Sequence, residues 1–254
     1  MKKAYIIFAI FLTLNLIGWM AVRYELAIWI NVPPPPEKTA MAIGSLGDTE
    51  MAYRSIGFML QNMGDHGGET RNIDTYDFDR LKQWFFLADS LNQRSDYVPF
   101  LAAYYYGAAK STDNIGRLVE FLGTVGQRPY AEKWRWLSWS ITAANQKLND
   151  LDTAIYLANH LKNIKVESKP AWADRLVPAL YSANGRKADA QIAAEEVFQD
   201  NFTSFPYQDQ VFMLTLLCSK LADYNKQNPR CFNYFTDNVF RNDEWTSSIN
   251  SSLQ

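Results

Sequence analysis

The sequence predicts an all-α protein: one apolar helix at the N-terminus, then a domain of stacked helix pairs. Three observations carry this. Residues 4–22 run nineteen positions without a charge. From residue 76 onward, apolar residues recur at three- and four-residue steps in segments separated by short polar gaps, as on helices with one or two buried faces. No stretch alternates apolar and polar residues for long enough to claim a strand.

Residues 1–32 read as a signal anchor, a single transmembrane helix. At 1.5 Å per residue, nineteen uncharged residues match the hydrocarbon thickness of a bilayer. The exit, Met20-Ala21-Val22-Arg23, lacks the small-x-small pattern of a cleaved leader, so the helix is expected to stay. Lys2 and Lys3 precede it, and the positive-inside bias then puts the N-terminus in the cytoplasm and the remainder outside. That arrangement implies a single-pass protein of a bacterial inner membrane with a periplasmic domain. Asn15 and Gly18 share a small-and-polar face suited to contact with another membrane helix.

Residues 33–38 form a proline-rich spacer. Four consecutive prolines, Pro33, Pro34, Pro35 and Pro36, exclude helix and favour the extended polyproline form. The span 39–241 is the helical domain. It opens with helices expected at 39–45 and 48–63, and a polar, glycine-rich loop follows at 64–72. Helical patterns then follow at 76–93, 95–110, 113–126, 130–147, 150–164, 169–184, 187–201, 206–225 and 229–241. Asp113 and Ser168 suit N-terminal caps, and Pro170 and Pro229 suit first-turn positions. The tail 242–254 is polar and is expected to be disordered.

The stretch 134–161 shows how these helices pair. Its first arm offers Trp134, Leu137, Ile141 and Ala144 on one face and Trp136, Trp139 and Ala143 on the next, more apolar surface than one neighbour covers. Its second arm carries Ala154, Leu157, Ala158 and Leu161 at helical spacing, and 148–150 supplies the turn. Asn149 with Ala154 five residues on resembles the turn-plus-helix segment of tetratricopeptide repeats. The same pattern recurs at Gly47 with Ala52 and at Gly185 with Ala190, and Tyr181 stands four residues ahead of that last glycine. The intervals, 149 − 47 = 102 and 185 − 149 = 36, fit a period near 34. The resemblance covers roughly 40–240 and implies an α-α hairpin repeat solenoid.

In such solenoids the first helices of the pairs line the binding face. The resemblance therefore points to Tyr104, Arg135, Trp136 and Trp139 as partner-binding residues, of types that anchor protein interfaces. Tyr104, Tyr105 and Tyr106 point about 100° apart, so at least one is expected at the surface. The resemblance also bears on Cys218 and Cys231, the only two cysteines. The closest approach of the two arms in these hairpins joins residues about twelve apart, and this pair, thirteen apart, is expected to form a disulfide.

Composition narrows the function. The chain of 254 residues has a formal net charge of −2. Without Lys2 and Lys3 the balance is 23 − 27 = −4, which provides no basic field for nucleic acid. Two histidines and no Cys-x-x-Cys or His-x-x-x-His spacing leave little from which to build a metal site or a histidine triad. His66-Gly67-Gly68 has the look of an esterase oxyanion loop, but the Gly-x-Ser-x-Gly elbow such enzymes require is missing. No phosphate-cradling or dinucleotide motif is present, and no cofactor is expected. The expected function is a non-catalytic, membrane-tethered scaffold or assembly factor that holds other envelope proteins. The alternatives are a permanent accessory subunit of a membrane complex and, behind it, a periplasmic hydrolase.

Overall fold

The computed structural model describes residues 2–22, 32–66, 69–70, 72–130, 132–200, 203 and 205–231. Helix α1 is Lys2–Val22, and α2 (Lys38–Gly44) and α3 (Thr49–Gln61) follow residues 32–37. A two-residue antiparallel pair, β1 (Asp65–His66) and β2 (Glu69–Thr70), ends the segment read as a loop. The remaining helices are α4 (Phe78–Leu91), α5 (Tyr97–Phe100), α6 (Thr112–Val125), α7 (Trp134–Gln146), α8 (Leu151–Asn163), α9 (Leu176–Ala183), α10 (Lys187–Asp200) and α11 (Tyr207–Thr215).

Local chemistry sets the helix starts. Asp48 accepts from the amides of Glu50 and Met51, Asp77 from that of Arg80 and Asp150 from that of Thr153, each filling donors that a helix N-terminus leaves open. The expected caps at Asp113 and Ser168 are displaced. Ser111 occupies the capping position of α6 with Asp113 in its first turn, and Pro170 precedes the 3₁₀ turn Ala171–Arg175 that leads into α9. Two predicted helices change pitch. The segment over 95–110 becomes α5, a π turn at Leu101–Tyr105 and a 3₁₀ turn at Tyr106–Ala108. The one over 206–225 becomes α11, a π turn at Leu216–Lys220 and a 3₁₀ turn at Ala222–Tyr224. The helix expected over 229–241 starts at 229–231; its remainder and the tail 242–254 lie outside the described residues.

The three turns singled out by sequence are left-handed corners: Gly47 has φ 84°, Asn149 φ 53° and Gly185 φ 76°. Glycine and asparagine are the residues that tolerate this region, which is why the turns fall there. The alanine five residues beyond each corner, Ala52, Ala154 and Ala190, is 0% exposed. Its methyl group lets the neighbouring helix approach closely.

Helices pack in two layers. The first members of the pairs, α3, the segment 97–108, α7, the segment 171–183 and α11, touch in succession, and so do the second helices, α4, α6, α8 and α10. In the first layer Trp136 Nε1 donates to Asp96 Oδ1 over 2.6 Å, Trp134 meets Trp172 edge-on, and the Arg175 guanidinium pairs with Asp209 at 2.7 Å. In the second layer Lys82 reaches Glu120 at 2.6 Å and Lys162 reaches Glu196 at 2.9 Å, while Glu195 receives Arg230 at 3.0 Å. Hydrogen-bonded pairs that join one helix pair to the next stand 34 to 40 residues apart along this part of the chain. The main core runs from Val32 to Leu180 and includes Phe85, Tyr106, Phe121 and Leu137. A second core runs from Ala190 to Cys231, and Tyr181 packs against both.

The structure corrects the membrane reading of the N-terminus. Among the described residues no helix is long and apolar enough to cross a membrane. The signal anchor over 1–32, the membrane contact through residues 4–22, the intramembrane role of Asn15 and Gly18, and the bacterial inner-membrane placement with a periplasmic domain are therefore withdrawn. Within α1 the Asn15 amide donates to the Phe11 carbonyl at 3.0 Å and the Thr13 hydroxyl to the Ala9 carbonyl at 2.8 Å. The side chains described along α1 are all exposed. The start of the proline-rich segment is held against α4: Val32 is buried, and the carbonyls of Val32 and Pro33 are bonded to Arg80 and Trp84.

Candidate binding face

The seam between the segment 97–108 and α7 contains three of the four residues expected to bind a partner. Asp96, just before α5, organises it. One carboxylate oxygen of Asp96 accepts from Trp136 Nε1 at 2.6 Å and pairs with Lys133 Nζ at 2.9 Å. Lys133 is 1% exposed and also donates to the Ser95 carbonyl at 2.6 Å, so its buried ammonium has both a counter-charge and a neutral acceptor. At the other end of α7, Lys147 Nζ donates to the Gly107 carbonyl at 2.6 Å. Two lysines thus clamp the ends of α7 onto the preceding helix pair.

Between the clamps the aromatic residues divide by role. Trp136 is buried and works as core, with its indole N–H satisfied by Asp96. Trp139 is half-buried and lies on Gly107, where a Cβ would come within 2.8 Å of the indole. A side chain at 107 would separate the two segments, which is the packing reason for glycine there. Tyr104 is 63% exposed, meets Trp136 edge-on at 6.3 Å and stacks obliquely on Phe100 at 4.9 Å. Its neighbours take other faces: Tyr105 is half-buried, and Tyr106 is fully buried with its hydroxyl donating to the Leu60 carbonyl at 2.7 Å. Burial pushes the Tyr106 phenol far above the usual tyrosine range.

Arg135 is not brought to this seam. It pairs with Glu132 at 2.6 Å and lies over the Trp134 ring at 5.6 Å, on the side of α7 that meets Trp172. Sequence reasoning missed Tyr97 and Phe100. With Tyr104 they stand at steps of three and four, one helix face, and all three are exposed. Gly57 of α3 lets Tyr97 pack across it, and Gln61 accepts the Tyr97 hydroxyl. Phe58, next to Gly57 on α3, is exposed as well. The spacing signal was available in the sequence, but so was an equally good apolar spacing through the buried positions.

Beyond α1, large apolar side chains exposed on helices are concentrated in the first layer among the described residues. Met51, Phe58, Tyr97, Phe100, Tyr104, Tyr207 and Phe212 are in the first layer, against Tyr156 and Ile192 in the second, with Ile43 on α2 and Tyr224 on the 3₁₀ turn Ala222–Tyr224 besides. Chemistry-bearing groups are sparse. Among the described residues no group of three or more His, Cys, Asp or Glu is placed to hold a metal ion. His160 packs edge-on against Tyr156 at 4.6 Å. The open depression around Gln191, Glu195, Asn225 and Arg230 is lined by residues engaged with one another in amide and ion-pair contacts, with Asn225 bonded to both Gln191 and the Leu217 carbonyl. Cys218 and Cys231 form a disulfide with Cα atoms 5.2 Å apart, joining the π turn after α11 to the start of the following helix. No family model, no curated protein and no solved structure matches this chain.

Proposed function

We propose that this chain is a non-catalytic scaffold that binds a partner protein across its first helices, and that its helix pairs constitute a tetratricopeptide-like hairpin repeat. The observation that carries the reading is the exposed row Tyr97, Phe100 and Tyr104, on a layer that holds most of the exposed apolar side chains of the helical domain. Aromatic residues on a rigid support offer large contact area with little entropy to lose, which is how interface anchors work. Trp136 and Trp139 serve the site from beneath by fixing the segment that carries Tyr104. The left-handed corners, each with a buried alanine five residues on, support the repeat assignment. A photo-reactive residue placed at position 104 is expected to form adducts with a partner in cells, whereas one at exposed position 152 of α8 is not. Adducts at both positions alike, or adducts unaffected by Phe100→Ala in a chain with unchanged thermal melting, would sink the proposal.

A second reading has its own observation. The apolar side chains described along α1, from Tyr5 to Met20, are all exposed, and an all-round apolar helix calls for apolar cover. A permanent subunit of a larger complex, with other protein around α1 and Asn15 and Gly18 at the contact, would supply it. Replacing α1 by an unrelated helix separates the readings: a scaffold keeps its adducts at position 104, and a permanent subunit loses its complex.

A further inference from the structure

Four prolines in a row leave their segment one conformation. Each proline fixes its own φ near −65°, and each residue before a proline is pushed out of the helical region, so 32–36 must run as polyproline II. Glu37 continues that geometry at φ −64°, ψ 151° before α2 begins. This backbone makes no internal hydrogen bonds, so its carbonyls take donors from elsewhere. Helix α4 supplies two: Arg80 Nη1 donates to the Val32 carbonyl at 2.9 Å, and Trp84 Nε1 donates to the Pro33 carbonyl at 2.8 Å. Residues 80 and 84 stand one turn apart on one helix face. Val32 is 1% exposed and fills a pocket of the main core, while Pro34 and Pro36 face solvent. An indole N–H and a guanidinium reading successive carbonyls, beside a pocket for one aliphatic side chain, is the chemistry by which aromatic-lined grooves take proline-rich peptides.

We propose that the Arg80 and Trp84 face of α4 is a polyproline II binding site, with residues 32–36 as its ligand in cis and a proline-rich segment of a partner protein as its ligand in trans. Among the described contacts, two carbonyl hydrogen bonds and the Val32 side chain hold the segment, and a stiff proline segment loses little freedom on docking or release. The site is distinct from the first-helix face and does not depend on what that face binds.

The test uses a fluorescein-labelled peptide with the sequence of residues 31–37, titrated into the full chain and followed by anisotropy. Tethering sets a local ligand concentration in the millimolar range, so the unaltered chain should bind the free peptide weakly. Val32→Asp expels the segment from its apolar pocket while leaving α4 intact. That variant should bind the peptide at least about ten-fold more tightly than the unaltered chain, by removal of the tethered competitor. Adding Trp84→Phe to it should abolish the gain. A Val32→Asp chain with native circular dichroism and no gain, or equal binding of a peptide with alanine at its four proline positions, overturns the proposal. If Val32→Asp does not fold, the indole signal of Trp84 in the unaltered chain, assigned by its loss in Trp84→Phe, is followed by NMR. It should shift on addition of several millimolar peptide, and no shift overturns the proposal.

Discussion

At the scale of single residues, the corners and the buried ammonium are the most exposed to substitution. A residue with a Cβ in the left-handed region is strained by roughly 1 to 2 kcal/mol, and asparagine relieves part of this through local hydrogen bonding. Asn149, at φ 53°, should therefore tolerate glycine with a change within about 0.5 kcal/mol, while Asn149→Ala and Gly185→Ala should each lower stability by about 1 kcal/mol in urea denaturation. Neutral alanine variants would show that these corners relax freely. Asp96→Ala leaves the Lys133 ammonium with the Ser95 carbonyl and takes from the Trp136 indole N–H its acceptor, so a loss of about 1 to 3 kcal/mol is expected. Pairing this variant with Lys133→Met should recover part of that loss, and a double mutant no better than the single one would refute the clamp. The corners were legible because the residue types that accept positive φ are few. The burial of Trp136 was not, because the acceptor that permits it lies 40 residues upstream and no local spacing announces it.

At the scale of elements, helix starts depend on ionised carboxylates. The Asp150 carboxyl is held below its usual range first by the Thr153 hydroxyl and then by the Thr153 amide. The Asp74 carboxyl is lowered by the amides of Ser111 and Lys110 at the entry to α6. A group whose folded value is depressed contributes stability above its unfolded value, near pH 4, and loses it as pH falls through the lower folded value. Thermal melting should thus be nearly flat from pH 7 to pH 5 and drop below about pH 4, with the drop reduced in Asp150→Asn. An unchanged acid slope in that variant would remove the cap from the account. Helix periodicity placed most elements within a few residues of their observed bounds, because one buried face repeats at each turn. The π turns at 101–105 and 216–220 escaped notice because an inserted residue leaves the apolar spacing nearly intact. The docking of 32–36 escaped for another reason: it depends on Arg80 and Trp84, which a reading of proline stiffness alone does not consult.

For the whole molecule, neighbour-to-neighbour contact is the governing fact, and its first consequence is regional stability. The disulfide closes a loop of thirteen residues in the second core and, by restricting the unfolded chain, should add about 3 kcal/mol there. Reduction should accelerate hydrogen exchange most at 207–224 and least at 78–163, since the disulfide lies in the second core and 78–163 in the first. Uniform acceleration would mean a single cooperative unit. The second consequence is mechanical. From α5 onward, first-layer segments begin at residues 97, 134, 171 (the 3₁₀ turn before α9) and 207, intervals of 37, 37 and 36, so this part of the chain, drawn out, should lengthen like a ratchet with evenly cut teeth. Each pair released at about 3.4 Å per residue adds about 125 Å of contour. The cysteine-bearing pair should come up short by about 45 Å until a reductant is added, a missing length that an optical trap can read directly.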